Sequence, residues 1–176
     1  MLVFGIVQLT RGCSGIRGSS PDYKAIAAEA LSDMKEFKSA DGDFKIKYPS
    51  AWGTPPEEGF QFHTATLKGL INASVSVGAI PPGLTLDALY DAGLQEIKEL
   101  DPNPKALERQ NITVHGVPAI RSRTSFVAKG VTGRNEMLMV ISEGKRYVFI
   151  CTTAEERLAE FGPICDAMLQ SFELTR

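Results

Sequence analysis

Two neighbouring segments late in the chain are apolar at every position: Met137, Leu138, Met139, Val140 and Ile141, then Tyr147, Val148, Phe149, Ile150 and Cys151. Successive side chains of a strand point to opposite faces, so a strand apolar throughout needs cover on both sides. The "EGK" turn between the two is too short for a crossover, which makes the pairing antiparallel. These two facts together require an α+β fold, an α/β/α sandwich around an antiparallel sheet.

The rest of the chain supplies the other elements. A first helix is predicted from Pro21, with Ser20 as N-cap and the proline at the first helical position. Its stripe is Tyr23, Ile26, Ala27, Ala30, Leu31, Met34 and Phe37, and "SADGD" ends it. Phe44, Ile46 and Tyr48 alternate with Lys45 and Lys47, a strand with one wet face that ends at Pro49 or lies at an edge. Trp52, the only tryptophan, has the area to plug the end of a core. Phe60 and Phe62 mark a second strand, and Ile71, Ala73, Val75, Val77 and Ala79 form the apolar face of a third. Thr85 is placed to cap a helix striped by Leu86, Leu89, Tyr90, Gly93, Leu94, Ile97 and Leu100. Strands follow near 107–114, at "VPAIRSRTSFVA", at "NEMLMVIS" after the turn "KGVTG", and at "RYVFICTT", with a tight connection at His115-Gly116. Thr153 and Glu156 have the spacing of a capping box for the last helix, and Gly162-Pro163 is expected to break it before a second segment ending near Ser171.

Composition narrows the function classes. With 176 residues, 43% hydrophobic and 23% charged, the chain suits one globular domain, here residues 21–176 after a leader and linker at 1–20. A net charge of -2 argues against nucleic acid as a partner. No CxxC or Cys/His cluster points to zinc, and no phosphate-cradling glycine loop points to a nucleotide, so no metal or cofactor is implied. Of the two histidines, His63 falls on the polar side of a predicted strand and His115 in a turn, both read as surface residues. Glu57-Glu58 lies in a loop, and Glu155-Glu156 complements a helix N-terminus, so no catalytic residue is assigned. Arg121 and Arg123 share a strand face, with Lys129 and Arg134 near the following turn. They form a candidate patch for an anion or an acidic partner, or a solvated face with Glu136 as cross-strand neighbour. Cys151 and Cys165 read as small buried hydrophobes, with a disulfide open to them outside the cytoplasm.

The apolar run "MLVFGIVQLT" is too short to span a bilayer and has no basic residue before it, which suggests a misplaced start or no signal. The "RGC" that follows resembles the lipid-attachment site of bacterial lipoproteins, with Cys13 as the candidate modified residue. Gly12 fits that pattern, whereas Thr10 and Arg11 depart from it.

Four stretches in order, "FKIKYPSAW", "ASVSV", "VHGVPAI" and "FGPICDAMLQSFEL", resemble the PsbP-like family, including its bacterial DcrB-related envelope branch. They cover roughly Asp41 to Leu174. The resemblance implies an α/β/α sandwich around an antiparallel sheet and a non-enzymatic scaffold that presents a surface to a protein partner. Relatives assist photosystem II, bind the GTPase Ran, or are envelope lipoproteins. With Cys13, it implies a periplasmic, lipid-anchored protein with an unknown protein partner. The alternatives are a cytoplasmic binding or chaperone-like module, and a small-ligand binder or hydrolase using a pocket near Trp52.

Overall fold

The structure is a computed structural model that describes residues 21–53, 61–62 and 70–175. Cys13, Ser20, Glu57, Glu58, Phe60 and His63 lie outside the described residues.

Helix α1 is Tyr23–Ser32, and Asp22 caps it by accepting from the Ala25 N–H. The predicted helix ran on to Phe37. Instead Met34–Lys38 forms strand β1, paired antiparallel with β2 (Phe44–Pro49) so that Phe37 lies opposite Ile46. Asp33 seals the switch: its carbonyl accepts the Ser50 N–H at 2.8 Å and its carboxylate accepts the Ser50 hydroxyl at 3.0 Å. Met34 and Phe37 fit the helical stripe equally well, and the neighbouring strand decided between the two. Pro49 is the last residue of β2. Trp52 beyond it is 2% exposed, within the main core.

Strand β3 (Gln61–Phe62) pairs with β4 (Ile71–Ala79), and α2 (Leu86–Leu100) follows with Thr85 accepting the Ala88 N–H. Four strands then run as a meander: β5 (Lys105–Val114), β6 (Val117–Ala128), β7 (Val131–Ser142) and β8 (Lys145–Ala154). The two-residue connections are His115-Gly116, Lys129-Gly130 and Glu143-Gly144, and all six residues have positive φ. That is the turn whose twist matches the strands it joins. The predicted turn "KGVTG" is therefore only two residues long, and β7 takes in Val131, Thr132 and Gly133.

The six-stranded sheet has the order β3-β4-β8-β7-β6-β5, every pair antiparallel. On one face Met137, Met139, Val148 and Ile120 pack against Leu89 and Tyr90 of α2. On the other, Leu138, Val140, Phe149 and Cys151 pack against Cys165, Met168 and Leu169 of α3 (Leu158–Gln170). Behind this second face lies a three-stranded sheet of β1, β2 and β9 (Glu173–Leu174), through Phe44, Ile46 and Tyr48. Met139 is 0% and Phe149 1% exposed on opposite faces, so the two-faced strands are covered as their composition required.

Three local expectations fail. Thr153 is no helix cap: it is the ninth residue of β8, buried, and α3 starts after a 3-10 turn at Glu155–Arg157 that has no side-chain cap. Pro163 does not break the last helix; α3 runs through it, with the proline exposed. Cys151 and Cys165 are not free but joined in a disulfide between β8 and α3, both fully buried. The sequence left that pairing open because residues 14 apart meet only once the helix folds back on the sheet.

Candidate functional site: an ion-paired cluster at the head of a groove

Strand alternation puts Arg121, Arg123 and Glu136 on the face that carries Leu138 and Cys151. The register places Arg121 opposite Leu138, Arg123 opposite Glu136, and Glu136 opposite Cys151. The Arg123–Glu136 neighbourhood is the cross-strand contact expected from the sequence. Two further carboxylates complete the cluster. Asp166 descends from α3 and accepts from Arg121 at 2.5 Å and from Arg123 at 3.3 Å. Glu108 on β5 accepts from Arg123 at 2.9 Å. Arg123 also donates to Glu136 at 2.6 Å, and Arg121 lies 3.5 Å from the second Glu136 oxygen.

Glu136 is only 5% exposed. Burial pushes its carboxyl above the ordinary carboxylate range, because water no longer solvates the charge. The hydrogen bond from Arg123 and its positive field oppose that shift without cancelling it. Burial also works against the Arg123 charge, yet the hydrogen bond and field of Glu136, with Glu108 and Asp166, hold its pKa above the usual value. Across the cluster, three carboxylates stand against two guanidinium groups.

Next to this cluster a groove of about 320 Å³ opens between β5 and the C-terminal end of α3. Ile112, Leu138, Leu169 and Phe172 give it an apolar floor, with Gln110 and Arg121 at the head and His115 at the foot. It exists because α3 ends at Gln170, short of β5, so the outer part of this sheet face is left partly uncovered. Phe172, stacked on Phe44 at 5.6 Å, fixes the chain leaving the helix.

The sequence-derived patch divides in two. Arg121 and Arg123 belong to the cluster. Arg134 lies apart, bonded to Glu155 at 2.8 Å, and Lys129 sits exposed in the β6–β7 turn. Counting back from the predicted His115-Gly116 connection places Glu108 opposite Arg123, so the hairpin carried its signal, whereas only the helix packing brings Asp166 to a strand more than forty residues away in sequence. Among the described residues no group of three His, Cys, Asp or Glu side chains is placed to hold a metal ion, and no helix is long and apolar enough to cross a membrane.

The layered arrangement is a PsbP-like fold. No protein-family profile and no curated protein matches the sequence. Solved structures do. The cyanobacterial PsbP protein of Synechocystis aligns with a TM-score of 0.64 at 16% identity, over 81% of this chain and 92% of that one. The Ran-binding protein Mog1p of Saccharomyces cerevisiae gives 0.60 at 10% identity, over 81% and 95%. LpqN, involved in cell envelope biogenesis of Mycobacterium tuberculosis, gives 0.58 at 13% identity, over 86% and 97%. At these identities the likeness establishes the fold.

Proposed function

We propose that this chain is a non-enzymatic PsbP-like accessory protein that offers the groove between β5 and α3 to a protein partner, on the outer side of a bacterial cytoplasmic membrane. The observation that carries the reading is the groove itself: an apolar floor with polar residues around it and the ion-paired cluster at its head, open at the side of the sheet and framed by a strand and a helix. That is the anatomy of a protein interface, where an apolar centre supplies affinity and a polar rim supplies selectivity. Its charged groups are paired with one another rather than flanking a reacting centre.

The buried Cys151–Cys165 bridge supports the compartment, since structural disulfides persist where the environment is oxidising. Of the neighbours, one is named for binding Ran, which supports a protein partner, and another for cell envelope biogenesis, which supports the compartment. The reading extends to Cys13 as a lipid-attachment residue, which mass spectrometry of membrane-fraction protein tests as a diacylglycerol-sized adduct on that cysteine. An unmodified Cys13 removes the anchor and leaves the partner site standing.

The test of the site is photo-crosslinking in cells. A photoreactive side chain replaces exposed Gln110, on the groove face of β5, or exposed Asp91 on α2, away from it. One discrete protein adduct from position 110 and none from 91 is the expected result. No adduct from 110, or the same adducts from both positions, defeats the proposal.

A further inference from the structure

We infer that the groove takes an extended segment of its partner, laid beside β5 as an added strand, with a basic side chain at the cluster and apolar side chains along the floor. The inference rests on the groove being the partner site and names what the site accepts.

Strand β5 ends the sheet order, and among the described residues no strand pairs with its outer side. An edge strand offers a row of backbone N–H and C=O groups to an incoming strand. Proteins usually blunt such edges with bulges and lysines, and β5 has both: the bulge that leaves out Leu107, and Lys105. Both devices sit at its N-terminal end. From Glu108 to Val114 the register with β6 is unbroken, and this half walls the groove. The edge is thus guarded where nothing lies beneath it and regular where the groove lies.

Side-chain alternation then sets what the added strand must carry. Glu108, Gln110, Ile112 and Val114 share the groove face of β5, opposite Arg123, Arg121, Ala119 and Val117. A strand alongside projects every second side chain over the same face, towards Leu169 and Phe172. Positions beside Ile112 and Val114 therefore call for apolar groups. Beside Glu108 the charge differs. Three carboxylates against two guanidinium groups leave one negative charge in excess, and the carboxylates nearest solvent are Asp166 at 40% and Glu108 at 35% side-chain exposure. Glu136, at 7%, is sealed beneath them. A lysine or arginine adds to the contacts these two carboxylates already make, Glu108 with Arg123 and Gln110, Asp166 with Arg121 and Arg123. An acidic side chain must first part Arg121 from Asp166. The occupant is thus a basic residue with apolar ones four and six positions from it along the strand.

The test uses the full chain and two blocked peptides, Val-Thr-Val-Thr-Thr-Thr-Lys-Thr-Thr-Thr-Val-Thr-Val, which fits either strand direction, and its counterpart with glutamate for lysine, titrated by NMR. The lysine peptide is expected to protect the outward-facing amides of Arg109, Asn111 and Thr113, the alternate ones not bonded to β6, and to shift the methyl groups of Ile112, Leu138 and Leu169, saturably. The glutamate peptide should bind about fivefold more weakly, the scale of one partly exposed ion pair. Gln110→Lys replaces the amide that bonds Glu108 with an ammonium group at an exposed position, and should reduce that discrimination. Shifts centred on α2 or the three-stranded sheet, no saturation up to the solubility limit, or equal binding of the glutamate peptide overturns the inference. A discrete crosslink from position 110 alongside a failed titration leaves the partner site and removes this occupant. Loss of the crosslink removes both.

Discussion

Removing the bridge between β8 and α3 is the sharpest perturbation the structure offers. Cys151 and Cys165 are 14 residues apart, so the bridge closes a loop of about 15 residues, and loop-closure entropy alone assigns it ~3 kcal/mol. Both cysteines are fully buried, so replacing them with alanine also leaves a small void in the main core. The double variant Cys151→Ala/Cys165→Ala should therefore lose at least about 3 kcal/mol. For a urea dependence of about 2 kcal/mol per molar, the midpoint falls by about 1.5 M, and Tm drops by roughly 6–12 °C. Trp52 is the only tryptophan and is buried, so its fluorescence reports the transition. A second measurement separates the bridge from packing: 1,4-dithiothreitol should lower the wild-type midpoint towards that of the variant and leave the variant unmoved. A reductant-insensitive wild type, or free-thiol titration of the unfolded oxidised chain that finds residues 151 and 165 reactive, refutes the reasoning.

Three further outcomes follow from the same structure. Pro163→Ala restores a helical N–H and removes a ring clash at an exposed position of α3, so it should stabilise by about 1–2 kcal/mol after the gain in unfolded-chain entropy is subtracted; a loss of stability in urea unfolding would count against the continuous helix. Glu136 has a raised pKa, so between the ordinary carboxylate value and its own value the folded chain holds a proton the unfolded chain has lost, and stability falls as pH rises through that window. Unfolding free energies measured across that window should show this slope in the wild type and lose it in Glu136→Gln. Met139→Ala and Phe149→Ala empty opposite faces of the same two strands, so each should cost on the order of 2–5 kcal/mol, and a mild effect at either would show that its face is open to water.

The reading of the sheet from sequence succeeded where one local rule had one outcome. Runs apolar at every position demand two covered faces, and the pairs ending in glycine at 116, 130 and 144 suit turns that need positive φ twice. It failed where two outcomes satisfied the same local pattern. Met34 and Phe37 fit a helical stripe and a strand alike, and β2 settled the matter by pairing with them. Thr153 and Glu156 have the spacing of a cap, but β8 needed Thr153 opposite Ile71 and kept it. The cluster was legible in part: Arg121, Arg123 and Glu136 are strand neighbours and Glu108 faces Arg123 across the predicted hairpin, whereas Asp166 arrives on a helix.

What the sequence determined by itself is the layered α+β plan, because side-chain period and turn chemistry are local properties that survive in any context. The tertiary structure alone decided the Cys151–Cys165 bridge, the passage of α3 through Pro163, and the groove with its charged head. Each depends on where α3 stops and which way it lies across the sheet, and that is fixed by packing among residues distant along the chain, about which no short stretch carries information.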